Sequence, residues 1–214
     1  MSAPERSRVR RLPDRAAYDA ETIHAILDAA PVGHVGFVAD GRPVVIPMLF
    51  GRDGDDIYLH GSVASRLQRT MARSIDVCMT VTHVDGLVLA RSAFHHSMNY
   101  RSAVLFGRAE AVDGAEKEHA LRVITEHLIA GRWDEVRPPS PIEMRQTAVA
   151  KLIVEEASAK IRTGGPIDDD EDLALPVWAG VLPCAPVWGE PETDRLVPTG
   201  TQPSPSVTAR RSLG

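Results

Sequence analysis

The sequence is short of several features that would settle its class at once. Among 214 residues there are two cysteines, Cys78 in an apolar run and Cys184 in a proline-rich stretch. Two such isolated thiols make neither a disulfide framework nor a zinc-ligand spacing. Aromatic residues are 5% of the chain, too few for a stacking platform on single-stranded nucleic acid. No apolar run approaches the ~18 residues of a membrane-spanning helix, and the first residues lack the apolar core of a secretory signal. A Gly-x-Gly-x-x-Gly turn and a Gly-x-Ser-x-Gly elbow are both absent, which argues against a dinucleotide-binding Rossmann unit and a serine hydrolase. The expectation is a cytoplasmic protein that binds neither nucleic acid nor membrane.

What is present is uneven. The 24 basic and 29 acidic side chains give a net charge of −5. Arg6, Arg8, Arg10, Arg11 and Arg15 crowd the start, whereas Asp168, Asp169, Asp170, Glu171 and Asp172 form an unbroken acidic run. Such runs are read as solvated segments. Three regions follow: a basic flexible arm at 1–18, one domain with an acidic C-terminal loop at 19–188, and a disordered Pro/Ser/Thr-rich tail at 189–214.

Within the domain, Asp19 is placed to cap a helix whose apolar residues Ile23, Ile26, Leu27 and Ala30 share one face, with Pro31 as its stop. Strands follow at 35–38 and 43–50 around the turn pair Asp40-Gly41, then at 56–60 after a turn at Asp53-Gly54. Gly61-Ser62 is expected to break the third strand, and 65–74 reads as a short helix. Further strands are expected at 77–82, 87–90, 102–112 and 148–155, with Asp85-Gly86 as another turn. A helix at 115–129 carries Ala120, Val123, Ile124 and Leu128, and Gly131 lies past its end. A strand meander with helices outside implies a mainly β (α+β) protein, a small antiparallel barrel.

The segment Tyr58-Leu59-His60-Gly61-Ser62, followed by Ser65-Arg66, has the parts a phosphate needs. A strand ends, small residues free the backbone, and a hydroxyl and a guanidinium stand at a helix start. A second polar cluster, Asn99-Tyr100-Arg101-Ser102, leads into a strand whose Gly107 admits close approach of another backbone or a ligand. The histidines suggest no metal centre: His95 and His96 are neighbours that face opposite sides of an extended segment, and His83 stands alone. Glu155 and Glu156 alternate across a strand and make no carboxylate pair.

Taken together, these segments resemble the pyridoxamine 5′-phosphate oxidase-like FMN-binding split-barrel superfamily, in its nitroimidazole-reductase-related branch. The order and spacing of Ile26-Leu27-Asp28, Gly41-Arg42-Pro43-Val44-Val45-Ile46-Pro47, Tyr58 to Ser62 with Ser65-Arg66, Asn99 to Ser102, Phe106-Gly107-Arg108-Ala109, Lys160-Ile161-Arg162 and Trp178-Ala179-Gly180 carry it. The resemblance implies a six- to seven-stranded antiparallel split β-barrel with a few peripheral helices. It also implies a homodimer with FMN at the subunit interface and a small planar electron-poor substrate at the flavin face. Val44, Val45, Ile46 and Pro47 would lie along the flavin ring through their main chain. His60, Gly61, Ser62, Ser65 and Arg66 would approach the ring and its phosphate, and Tyr100, Arg101 and Ser102 would approach it at the interface. His60 would act as the catalytic proton donor, and Arg66 and Arg101 would make the site positive. Leu67 stands where the oxidases proper have a lysine. The alternatives are a deazaflavin in place of FMN, or a non-catalytic flavin- or haem-binding protein with His83, His95 or His96 as axial ligand.

Overall fold

The computed structural model describes residues 5–64 and 74–211. Helix α1 (Ala20–Asp28) starts where Asp19 accepts a hydrogen bond from the Thr22 amide, and it buries Ile23, Ile26 and Leu27. The strands are β1 (Ala16–Ala17), β2 (Val32–Ala39), β3 (Arg42–Asp53), β4 (Asp56–Ser62), β5 (Ile75–Leu89), β6 (Ser97–Val112), β7 (Thr147–Arg162) and β8 (Gly180–Pro183). Three more helices are described: α2 (Gly114–Leu128), α3 (Pro141–Gln146) and α4 (Pro205–Arg211).

The hydrogen-bonded strand order is β1-β7-β4-β3-β2-β5-β6, with β6 also paired to β7 and β8 added to β5. Pairing thus returns to β7 through six long strands, and the two short strands are additions to that cycle. The protein is a mainly β, mostly antiparallel split barrel, as expected. Among the described residues the strand count is eight because one expected pair fuses into β5 while β1 and β8 come from segments read as irregular.

Contacts divide the chain into two compact units. The first comprises Met1–Ala30, Met79–Phe106 and Glu155–Ala185. Here the basic arm, expected to be free, is laid against β7. The Glu156 carboxylate accepts from the amides of Glu5, Arg6 and Ser7 at 2.8, 2.8 and 3.2 Å and from Arg6 Nε at 3.1 Å. Ala16 and Ala17 then pair with Lys160 and Ala159. At the far end of β7 the buried Arg162 donates to Asn99 Oδ1 and to the carbonyls of Gly164 and Gly165, which fixes the chain reversal there.

The Asp85-Gly86 turn is not formed. β5 runs straight through it, because Gly86 lies against β8: a Cβ there would stand 2.9 Å from the Leu182 carbonyl oxygen. The polar cluster at 99–101 likewise lies inside β6, which begins at Ser97.

The second unit comprises Pro31–Cys78, Gly107–Val154 and Pro186–Gly214. Asp40 and Gly41 both have positive φ, 51° and 71°, the conformation a two-residue hairpin turn demands. Val35, Phe37 and Ala39 point inward from β2, and Phe50, Ile57, Leu59 and Leu152 extend the core. Helix α2 covers β3 and β4 by a backbone-close approach: a Cβ on Gly51 would meet Ile124 Cα at 2.7 Å. Part of the tail forms a helix, α4. α4 brings Ser206 into a buried position where its amide and hydroxyl donate to Glu135. The expected helix at 65–74 falls, apart from Ser74, outside the described residues.

Candidate functional site

Among the described residues, the sheet of the second unit has an opening. β3 pairs with β2 from Arg42 to Leu49, but with β4 only from Phe50 to Asp53. Beyond Leu59, β4 keeps β7 as its partner: His60, Gly61 and Ser62 stand opposite Val149, Ala148 and Thr147. Gly61 and Ser62, expected to end the strand, therefore continue it, because β7 supplies the ladder.

Along the open part of β3 the backbone alternates. Ala39 and Arg42 flank the two-residue turn, so they form a hydrogen-bonded pair. By alternation Arg42, Val44, Ile46 and Met48 direct their backbone groups to β2. Pro43, Val45, Pro47 and Leu49 direct theirs to the opening. Proline has no N–H to donate, so residues 43–47 present three carbonyls there and a single amide, that of Val45. Val45 is 65% exposed. Of the four residues expected along a flavin, the main chain of Val45 and Pro47 is thus available, and that of Val44 and Ile46 is taken by β2.

On β4, Tyr58 and His60 share a face. Tyr58 packs in a buried cluster with Ala120, Ile124 and Val149, which places this face under α2. His60 lines a cavity of about 480 Å³ walled by Leu121, Ile124 and Thr125 of α2 and by Trp133, Val136 and Pro139 of the loop that follows. Its imidazole Nδ1 is buried and has no hydrogen-bond partner among the described residues. Burial lowers the pKa from the ordinary 6.5, so the ring is neutral at pH 7.

Arg137 and Glu143 also line the cavity and are paired to each other, Nη1 to Oε2 at 2.8 Å and Nη2 to Oε1 at 2.6 Å. This hydrogen bonding, with the Ser140 amide, holds Glu143 well below the usual carboxylate range. The wall is therefore apolar, with a balanced charge pair and one unpartnered neutral imidazole nitrogen. An imidazole in that state is a proton acceptor or a metal ligand.

The remaining expected residues are distributed differently. Tyr100, Arg101 and Ser102 lie on β6 in the first unit. Arg101 is not the free cation expected at a flavin: its guanidinium is bound by Asp85. The Ser102 hydroxyl donates to the Lys160 carbonyl at 3.2 Å. Ser65 and Arg66, the expected phosphate contacts, lie outside the described residues.

The three histidines considered as haem ligands each have a partner. His83 Nε2 is 2.9 Å from the Ile26 carbonyl, His96 Nδ1 accepts from the Ala90 amide at 3.2 Å, and His95 Nε2 is 3.2 Å from Asp169. Among the described residues no group of three or more His, Cys, Asp or Glu is arranged to hold a metal ion.

The described residues thus form a split barrel with an unpaired β3–β4 seam and a cavity lined by His60. The chain belongs to the pyridoxamine 5′-phosphate oxidase family, whose pattern it matches over residues 19–161. It is similar to the flavocytochrome Anf3 of Azotobacter vinelandii, with 44% identity over 97% of each chain and a TM-score of 0.90. It is similar to the FAD and haem binding protein of Mycobacterium smegmatis, with 37% identity over 92% of this chain and 97% of that one and a TM-score of 0.89. A candidate 5-nitroimidazole antibiotic resistance protein of Bacteroides thetaiotaomicron is 28% identical over 68% of this chain and 86% of its own, with a TM-score of 0.58. A comparison with curated proteins finds no match. Among the described residues no helix is long and apolar enough to cross a membrane.

Proposed function

We propose that the protein is a flavin-binding redox protein that also holds haem, with His60 as the haem ligand. The observation that carries this reading is the neutral His60 imidazole, whose buried Nδ1 has no hydrogen-bond partner among the described residues, in a largely apolar cavity of about 480 Å³. A flat, largely apolar group with a metal at its centre suits such a cavity, since a pocket of a few hundred Å³ with one convergent polar atom is a common form of cofactor site. The likeness to a flavocytochrome and to an FAD and haem binding protein over nearly the whole chain supports it.

The flavin's mononucleotide half is assigned to the family's site. The Val45 amide and the carbonyls on the open edge of β3 suit the alternating donors and acceptors of a flavin ring, and Ser65 and Arg66 would approach its phosphate. Bound flavin supplies hydride and single-electron transfer, and bound haem supplies one-electron or oxygen chemistry. The chain's own part is to orient both groups and to keep His60 deprotonated and dry. A small planar electron-poor substrate remains the expected partner of the flavin face.

A homodimer belongs to the same proposal. Val38, Val45 and the facing pair Val32 and Leu49 leave an exposed apolar stripe on β2 and β3, and a second copy would bury it. In a flavin-only reading, His60 would instead be the proton donor beside the ring. Haem titration separates the two: a Soret band in the native chain that is lost in His60→Ala, with flavin uptake retained, supports the haem ligand. No Soret band in the native chain contradicts it.

A further inference from the structure

A second cavity lies wholly in the first unit, between the basic arm and the outer parts of β6 and β7. Its volume is about 320 Å³; Arg8, Arg10, Arg11 and Lys160 stand in its wall, and Val104 and Phe106 form an apolar part of its floor. We propose that this cavity receives the acidic loop, residues 167–173, of a second copy of this chain. The proposal rests on the homodimer reading above and deepens it, adding to the β2–β3 stripe a charged contact that each copy makes with the other.

The cavity is built for negative charge. Glu156 fixes the arm by taking three successive backbone amides and Arg6 Nε. Although burial pushes the Glu156 carboxyl up, the hydrogen bonds from Ser7, Arg6 and Glu5 outweigh it, so the group stays charged. Arg6 is thereby neutralised by Glu155 and Glu156. Arg8, Arg10 and Arg11 have no acidic partner among the described residues. Lys160 donates to the Arg11 carbonyl at 3.0 Å and keeps its charge unmatched. Among the described residues no carboxylate lines the cavity. Ser7, 6% exposed, adds a buried hydroxyl that has no hydrogen-bond partner among the described residues.

The loop carries the matching pattern. Asp168 is taken by the Arg91 amide and guanidinium at 2.7 and 2.8 Å, and Asp169 lies 3.2 Å from His95 Nε2. These contacts hold the loop against the connection between β5 and β6. Asp170, Glu171 and Asp172 are left with no basic partner among the described residues. Apolar side chains flank them in the open: Ile167 is 70% exposed and Leu173 54%, and Leu175, Val177 and Trp178 follow in the same state. So dense an exposed apolar stretch marks a surface that a partner covers.

Carboxylates with apolar neighbours thus face solvent in one place, and cations with an apolar floor in another. Guanidinium groups bind carboxylates through paired N–H donors. Both surfaces belong to the first unit, yet the contacts of Asp168 and Asp169 keep the loop out of its own chain's cavity, where none of its residues lines the wall. In a two-fold dimer the contact is made twice, so two copies cover both surfaces on both chains. A small anion or an unrelated acidic protein in the cavity would leave the loop uncovered.

The test measures the dimer dissociation constant of the full-length protein by sedimentation. Arg8→Glu/Arg10→Glu/Arg11→Glu on the arm and Asp170→Lys/Glu171→Lys/Asp172→Lys on the loop are compared with the native chain. Each should weaken the homodimer at least about tenfold, and the native dimer should weaken at about 0.5 M salt. An equimolar mixture of the two variants should regain the native constant, because each arm then meets a loop of opposite charge on the other chain. The single changes Arg10→Glu and Glu171→Lys should repeat the pattern in smaller measure, should a triple variant fail to fold.

A native dimer whose constant moves in neither variant would overturn the contact and leave the homodimer to its apolar stripe. Weakening by the arm variant alone would mean a different occupant of the cavity and overturn it too. So would weakening by both without recovery in the mixture, which would deny that the loop and the arm meet between chains. A native protein that sediments only as a monomer would end the homodimer reading itself, and this contact with it.

Discussion

Arg101 on β6 donates two hydrogen bonds to Asp85 on β5, from Nε to Oδ2 at 2.9 Å and from Nη2 to Oδ1 at 2.8 Å. The same Asp85 gives its backbone carbonyl to the Cys184 amide beside β8. Both bonds keep the Asp85-Gly86 dipeptide extended and explain why it forms no turn. The Arg101 hydrogen bonds, together with its charge, lower the Asp85 pKa, and they outweigh burial, which raises it.

The folded-state pKa of Asp85 is thus below its ordinary 3.8. Its stabilising contribution is complete above that ordinary value and is lost as pH falls through the folded value. Both side chains are about a third exposed or more, so the pair is worth roughly 1 kcal/mol or less. Asp85→Asn should lower stability in urea unfolding by that amount at neutral pH. The gap between native and variant should close in strong acid, and a gap that persists there would remove the ion pair as its cause.

Gly51→Ala should loosen α2. The new Cβ would stand 2.7 Å from Ile124 Cα and N, so the helix must move away from β3. Overpacking of this kind costs about 1–3 kcal/mol. Because α2 walls the His60 cavity, haem uptake should weaken along with the thermal midpoint. An unchanged midpoint would show that the helix yields without cost.

The tail should be released by acid. The hydroxyls of Ser204 and Ser206, with the Ser206 amide, bring Glu135 down to about 2, against burial and with help from Arg132. The clasp is therefore complete above the ordinary 4.5 and is lost only as pH falls toward 2. Glu135→Gln should free α4 at neutral pH, seen as faster amide exchange across residues 205–211. Unaltered exchange would mean that other contacts hold the tail.

His60 should give the fold a mild acid sensitivity. Burial lowers its pKa from 6.5. Above that value the folded and unfolded chains are both neutral at this site. Below it the unfolded chain takes up a proton that the folded one resists, so stability falls. His60→Gln should remove this component: the stability difference between about pH 8 and about pH 5 should be smaller in the variant. An equal difference would mean that the ring is not the buried base described above.

Much of this architecture is legible in the sequence where local chemistry decides it. Asp19 caps α1 as its position demands, and Ile23, Ile26 and Leu27 are the buried face. Asp40-Gly41 turns, with positive φ at both residues. Asp85-Gly86 is the same dipeptide and does not turn, because Arg101 and β8 hold it from distant parts of the chain. The arm and the tail read as loose by composition, yet Glu156 and Glu135 capture them through backbone amides that no side-chain pattern announces.

The site divides in the same way. Val45 and Pro47 stand on the open edge of β3 because two prolines, visible in the sequence, exclude a neighbouring strand's acceptor bonds there. The environment of His60 was not legible. Its walls come from α2 and the loop after it, and only their arrival over β4 buries its nitrogen and leaves it without a partner. The charges of Arg8, Arg10 and Arg11 were plain, but not that Glu156 fixes them around a cavity.

The central claim is tested most directly by the absorbance spectrum of the full-length protein supplied with FAD and haem and then freed of excess. The account predicts flavin bands together with a Soret band, the Soret band alone being lost in His60→Ala. A protein that stays colourless after exposure to both cofactors would contradict it.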